Sequence, residues 1–305
     1  MSDPAVVFEN VGRRFGSTVA LDAVGFTVAP GTVLGLIGRN GAGKTTALRL
    51  ALGTLWPDSG RIRTLGLDPV LDGRGVATRA ALLSEESALY PWMTIAEILR
   101  FTAGLHPRWD NELAARLSKD LDLDPSLRIR ALSRGTRAKV ALVLAVGARP
   151  ELLLLDDPTA GLDPLVRREV LDGVLDAVSQ GGGAVVYASH LVHDVERVAD
   201  RVIVLDGGRI RLEGELDALK ARIRRARAVF DGDAPRGVAI AGAIDSNSEG
   251  RVLTVIADAA DAAADELDAA LRRLGARDVA IEPLPLEEIL VALLREGSTK
   301  GVAHA

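Results

Sequence analysis

The stretch that most limits what this chain can fold into is Gly38-Arg39-Asn40-Gly41-Ala42-Gly43-Lys44-Thr45-Thr46. It sets Gly38, Gly43, Lys44 and Thr45 at the spacing G-x-x-x-x-G-K-[ST]. The apolar run Thr32-Val33-Leu34-Gly35-Leu36-Ile37 precedes it and reads as a buried strand. Ala47-Leu48-Arg49-Leu50-Ala51-Leu52 follows, a set of helix formers closed by Gly53. Glycines in such a loop let backbone N–H groups close around a triphosphate, and the helix N-terminus adds partial positive charge. Lys44 brings a full charge to the β- and γ-phosphates, and the Thr45 hydroxyl suits Mg²⁺. These residues predict a nucleotide site in an α/β fold.

Composition narrows the class. The 305 residues suffice for one large core or two domains, and 48% hydrophobic with 26% charged residues describes a soluble, globular bulk. No cysteine is present, so thiol catalysis and disulfides are excluded. The opening MSDPAVVFEN shows no basic and apolar leader pattern, and no run approaches the length of a membrane span. A net charge of −5 disfavours a general nucleic-acid binder, so no nucleic-acid partner is expected. The basic segment from Lys220 to Arg227 reads as a solvated helix end or linker rather than a phosphate or lipid contact.

In chain order, Val6 to Glu9 is a candidate strand, Gly12 to Gly16 a turn, and Phe26 to Val28 a strand ending at Pro30-Gly31. Arg61 to Arg63 reads as an edge strand and Ala80 to Leu83 as a strand leading into Ser84-Glu85-Glu86-Ser87. Thr94-Ile95-Ala96-Glu97 is a capping box opening a helix through about Leu105. Asn111 to Leu121 is helical, and Ser133 caps a helix to Gly147 with Val140, Val143, Leu144 and Gly147 on one face. Four leucines after Glu151 form a buried strand ending at Asp156-Asp157-Pro158. Asp163-Pro164 opens a helix to about Val178. After a Gly181–Gly183 loop, Ala184 to Ala188 is a strand reaching Ser189-His190, and Leu191 to Val198 is helical. Val202 to Leu205 and Arg209 to Glu213 flank a hairpin turn at Asp206-Gly207-Gly208. Alternating strands and helices predict a parallel, helix-covered sheet. From about residue 221 the texture changes to an α+β appendage. Its expected strands are at 227–230, 238–240, 252–256 and 279–281, and its helices at 259–274 and 286–295, before a frayed tail. The expected division is 1–220 and 221–305.

Hydrolysis of a triphosphate needs Mg²⁺ held, a water placed in line and charge neutralised. Asp156, at the end of the leucine strand, is the candidate metal ligand. Asp157 is placed to orient or deprotonate the water, or to serve as a turn residue. His190, also at a strand end, is placed to reach the γ-phosphate, or to serve as a satisfied buried histidine. His190 and His193 are three apart, but no further ligand pattern supports zinc.

These residues carry a resemblance. Leu132-Ser133-Arg134-Gly135-Thr136, then Leu155-Asp156-Asp157-Pro158-Thr159-Ala160-Gly161-Leu162-Asp163, then Ala188-Ser189-His190 follow the phosphate loop in sequence. The order is that of the signature, Walker B, D-loop and switch histidine, and the chain resembles the ATP-binding subunit of an ABC transporter over residues 5 to 215. The implied fold is a P-loop NTPase with a mostly parallel sheet, an antiparallel β subdomain and a helical signature subdomain. The implied cofactors are ATP and Mg²⁺. Phe15 stands where the family stacks an aromatic on adenine. Glu85 stands where a glutamine touches Mg²⁺, beside Thr45 and Asp156. Ser133 and Gly135 would contact the γ-phosphate held by a second ATPase subunit, identical or different, paired head to tail. Tyr90 to Phe101 would line the groove for a transmembrane permease at the cytoplasmic face of the membrane. Relatives acting as soluble switches on nucleic acid or ribosomes are the alternative, but they commonly carry two cassettes or a coiled-coil insertion. Three residues depart from the family pattern. Arg134 replaces a glycine, Glu85 a glutamine, and Asp157 the usual catalytic glutamate, one methylene longer. The last predicts slow hydrolysis with near-normal ATP binding, as in the degenerate site of an asymmetric pair.

Overall fold

A computed structural model describes residues 3–84, 89–181, 183–259 and 261–300. It divides into two compact units, Met1–Glu213 and Gly214–Ala305.

The first unit begins with an antiparallel sheet. β1 (Val6–Phe15) pairs with β2 (Thr18–Val28) and with β4 (Ser59–Thr64), in the order β2-β1-β4. Residues 12–15 therefore continue the strand, and the turn lies at Gly16-Ser17, correcting the expected turn at Gly12–Gly16. The strand survives its glycine because bulges interrupt the register between Phe8 and Arg14, letting Gly12 pair against Ser59. Phe8 and Phe26 stack across the β1–β2 pair at 4.5 Å and anchor it in the core.

The phosphate loop joins β3 (Val33–Ile37) to α1 (Lys44–Leu52). Then come α2 (Gly73–Ala77), β5 (Ala80–Ser84), α3 (Ile95–Leu105), α4 (Asn111–Asp120) and α5 (Arg134–Gly147). The α3 capping box is complete: Glu97 N donates to Thr94 Oγ1, and Thr94 N donates to Glu97 Oε2. Ser133 caps α5 as expected. β6 (Leu152–Asp156), α6 (Pro164–Gly181), β7 (Ala184–Ser189), α7 (Val192–Val198), β8 (Arg201–Asp206) and β9 (Arg209–Glu215) complete the sheet. α6 continues through Gly181, three residues beyond its expected end, so Gly181 is helical; Gly182 lies outside the described residues. Asp163 caps the helix through Oδ1, which accepts from Leu165 N and Val166 N.

The sheet order is β5-β6-β7-β3-β8-β9, parallel from β5 to β8. Parallel strands are covered on both faces, which is why β3, β7 and the leucines of β6 are buried at every position. The carboxyl ends of β3, β6 and β7 lie side by side: Ile37 pairs with Ser189, and Asp156 with Ala188. This places the phosphate loop beside Asp156 and Ser189-His190.

The second unit opens with α8 (Leu216–Arg222) and builds a sheet ordered β11-β12-β10-β13 from β10 (Ile223–Val229), β11 (Ala243–Glu249), β12 (Val252–Asp258) and β13 (Asp278–Pro283). All its pairs are antiparallel. α9 (Asp261–Arg273) packs Leu267 and Leu271 with Leu253, Val255 and Ala257. Alternation turns Ile256 to the other face, where it meets Leu284 and Ile289, the latter from α10 (Leu286–Lys300). α10 thus passes the expected end at Arg295 and takes in the first residues of the expected tail, whose remainder lies outside the described residues. Residues 238–240 are not a strand; the strand is the polar β11 that follows. The basic segment is the end of α8 plus most of β10, with Arg222 bonded to Asp258 and Arg225 to Glu282.

Candidate functional site

The phosphate loop is shaped by its glycines. Gly41 and Gly43 hold φ of 82° and 109°, in the region where a side chain is strained. A Cβ on Gly43 would sit 2.4 Å from Ala20 O, and one on Gly38 would sit 2.6 Å from Leu205 O. The loop therefore presses its backbone against two strands, and the N-terminus of α1 carries no acidic residue in its first turn. Lys44 is 5% exposed, and its Nζ donates to Gly38 O at 2.7 Å and to Arg39 O at 3.4 Å. Burial holds the Lys44 ammonium below its ordinary pKa, opposed by the charges of Asp157 and Asp156. Burial also raises the Asp156 carboxyl, against the hydrogen bond from Thr45.

Thr45 Oγ1 donates to Asp156 Oδ1 at 3.0 Å. A hydroxyl and a carboxylate, both hard oxygen donors joined across the loop, fit Mg²⁺, which takes few protein ligands and completes its shell with phosphate and water. The described residues contain no cluster of three His, Cys, Asp or Glu that could hold a metal ion. Glu85, the third expected ligand, lies outside the described residues.

Asp157 has φ 45°, a left-handed conformation that aspartate tolerates better than most residues. Its N–H donates to Ala188 O at 2.8 Å, which turns the side chain back onto the end of β7. Oδ1 accepts from Ser189 Oγ at 2.9 Å and His190 N at 3.1 Å, and lies 2.8 Å from His190 Nδ1. Oδ2 lies 3.8 Å from Lys44 Nζ. Lys44, Thr45, Asp156, Asp157 and His190 thus form one connected cluster at the strand ends. Ser189 belongs to it and was not assigned a role from sequence; a small hydroxyl at the end of a buried strand was the available signal.

The remaining candidates have other neighbours. Phe15 is 47% exposed at the end of β1, with the Arg13 guanidinium 4.8 Å from its ring centroid. Ser133 Oγ accepts from Thr136 N at 3.1 Å at the head of α5. A Cβ on Gly135 would meet Val166 of α6 at 3.3 Å. The Arg134 guanidinium lies against Gly161, where an added Cβ would be 2.4 Å from Nη1. Arg134 thus packs on the loop that follows Asp157. His193 does not join His190; its Nε2 is 2.9 Å from Arg167 Nη1.

The sequence profile of the ABC transporter family matches residues 21–160. A daunorubicin resistance ATP-binding protein of Streptomyces coeruleorubidus is 38% identical over 226 residues, covering 72% of this chain and 71% of the relative. The ABC transporter ATP-binding protein YtrB of Bacillus subtilis is 29% identical over 287 residues, 94% of this chain and 97% of the relative. A solved ATP-binding subunit of an ABC transporter superposes with TM-score 0.64 at 27% identity, over 71% of this chain and 92% of its own. The chain belongs to the ABC transporter family, among its ATP-binding subunits, and is an ATPase. No helix among the described residues is long and apolar enough to cross a membrane.

Proposed function

We propose that this chain powers transport through a separate transmembrane permease, bound at the cytoplasmic face of the membrane, by closing with a second ATPase subunit around ATP. The observation that carries the reading is the connected cluster of Lys44, Thr45, Asp156, Asp157 and His190 beside a glycine loop with no room for side chains at Gly38 and Gly43. The backbone of residues 38–46 cradles the phosphates, and Lys44 neutralises them. Thr45 and Asp156, and by the family resemblance Glu85, would hold Mg²⁺, which would supply charge neutralisation for the triphosphate. Asp157 orients the attacking water through Oδ2, because Oδ1 is taken up by its contacts with Ser189 and His190. His190 keeps Nε2 for the γ-phosphate. Phe15 stacks on adenine with its face opposite Arg13.

Gly135 packs against Val166 of its own chain, and with Ser133 at the head of α5 it would serve the phosphate of a second subunit. The exposed aromatic cluster of Tyr90, Trp92 and Phe101 supports a permease contact. Tyr90 lies 5.1 Å from Trp92 and 5.5 Å from Phe101 between ring centroids. Residues 1–220 form the ATP-binding domain in this reading, and 221–305 an appendage. The test is affinity purification of the chain from detergent-solubilised membranes of its host, with mass spectrometry of the eluate. A multi-span protein at comparable abundance is expected, and a second ATPase subunit would mark an asymmetric pair. Recovery from the soluble fraction alone, with ribosomal partners or none, contradicts the proposal.

A further inference from the structure

Three polar side chains without solvent exposure lie behind the Asp157–His190 pair: Thr159, Tyr187 and Asp194 are each 0% exposed. Thr159 Oγ1 donates to Asp194 Oδ2 at 2.5 Å and lies 3.3 Å from Tyr187 Oη. A hydroxyl has one proton to give, so with Thr159 committed to the carboxylate the phenol donates to Thr159. Burial pushes the Tyr187 phenol well above its ordinary pKa, which keeps that proton in place. The chain therefore runs one way, from Tyr187 through Thr159 to Asp194. Around the carboxylate, Arg167 Nε is 3.9 Å from Oδ2. His193 Nε2 is 2.8 Å from Oδ1, though without hydrogen-bond geometry.

The three residues sit on the segments that carry the catalytic pair. Thr159 is two residues after Asp157, Tyr187 three before His190, and Asp194 four after it. The Asp157–His190 contact is thus tied from behind at the loop, at the strand and at the helix. We propose that Thr159 and Asp194, with Tyr187, are positioning residues for hydrolysis. Their buried hydrogen bonds fix the loop bearing Asp157 against the strand end and helix bearing His190, and so fix the place of the attacking water. The inference rests on Asp157 and His190 acting as the water-positioning pair. The left-handed backbone at Asp157 gives the tie its purpose, because a residue held in a sparsely populated conformation relaxes unless its surroundings determine it. No proton or bond moves along the chain, and none of the three touches substrate.

The test is steady-state phosphate release with Mg·ATP by the full chain in its native complex, alongside direct ATP binding. The variants are Thr159→Val, Thr159→Ser, Tyr187→Phe and His190→Ala. Thr159→Val keeps the branched shape but leaves a buried carboxylate oxygen without its donor. The expected result is a kcat lower by about tenfold or more with KM within about twofold, the pattern of a sub-ångström misplacement. Thr159→Ser retains the hydroxyl and is expected to restore kcat to within about threefold of wild type. Tyr187→Phe removes the outer donor alone and is expected to lower kcat by a smaller factor at constant KM. If Thr159→Val does not fold, Tyr187→Phe decides. An unchanged kcat in the deciding variant overturns the inference. So does a loss that merely follows the folded fraction, or a failure of serine to rescue a folded valine variant. His190→Ala separates the two levels of the argument. If it stops turnover while Thr159→Val does not, the positioning inference alone fails; if it leaves turnover unchanged, the site assignment beneath it fails.

Discussion

Replacing Asp157 with glutamate is predicted to speed hydrolysis. Oδ1 of Asp157 has contacts with three potential donors, Ser189 Oγ, His190 N and His190 Nδ1, at 2.9, 3.1 and 2.8 Å. An oxygen with two lone-pair directions then has no capacity left for a water. Oδ2 remains, 3.8 Å from the Lys44 ammonium. One methylene extends the reach of the carboxylate by about 1.5 Å, the length of a carbon–carbon bond. Misplacement of about 1 Å at a reacting centre is worth up to about 10²-fold, or about 2.7 kcal/mol of barrier. Glutamate fits the left-handed backbone at φ 45° less well than aspartate, at about 1 kcal/mol of stability. The net expectation is a rise in kcat of about 10- to 100-fold with ATP affinity near that of the parent. Phosphate release by the assembled complex at saturating Mg·ATP measures it, with calorimetry for ATP binding. A folded Asp157→Glu complex that binds ATP normally and turns over at the parent rate or below refutes the reasoning.

Other expectations follow from the same geometry. Gly43→Ala places a methyl 2.4 Å from Ala20 O at φ 109°, and strain of about 1–3 kcal/mol should weaken ATP binding by about 5- to 150-fold in calorimetry. Phe15→Ala removes an exposed ring backed by Arg13 and should weaken ATP binding by about 2- to 13-fold, the worth of one aromatic contact. Glu151 is held below its ordinary carboxyl range by hydrogen bonds from Arg79 and by the charges of Arg79 and Arg108. Because the unfolded state then binds the proton more readily, this stability is present above the unfolded pKa, about 4.3, and lost as pH falls through the lower folded value. Arg79→Ala should therefore destabilise the protein near neutrality by less than about 1 kcal/mol, since the pair is about a third exposed, and the difference from the parent should shrink toward pH 3 in urea melts.

The parts of the fold written locally were legible in the sequence. Strand, glycine loop and helix around Lys44 are consecutive, as are the four leucines that end in Asp156, so period and punctuation located both. Helix starts at Thr94, Ser133 and Asp163 were legible because the capping side chain sits next to the helix it caps. What depended on distant partners was not. Residues 12–15 look like a turn, yet pairing with β2 and β4 and the bulges in register keep them extended. β11 has the sequence Ala243-Ile244-Asp245-Ser246-Asn247-Ser248-Glu249, with no sustained apolar alternation: as an edge strand it pairs with β12 alone, and only Ala243 and Ile244 at its start pack against the core. At the site, Asp156 and His190 were readable from strand ends. The buried chain of Tyr187, Thr159 and Asp194 was not, since its members come from three segments and each reads as an isolated polar residue. Arg134 was visible as a departure from the family signature, but its packing against Gly161 follows from tertiary approach alone.

The most direct measurement of the central claim is ATP turnover by this chain alone and in a lipid nanodisc with the membrane protein that copurifies with it, for the parent and for Lys44→Ala. The account predicts that the partner changes the rate of the parent chain and that Lys44→Ala stops turnover in both settings. A rate indifferent to the partner, or one that survives the loss of Lys44, would contradict it.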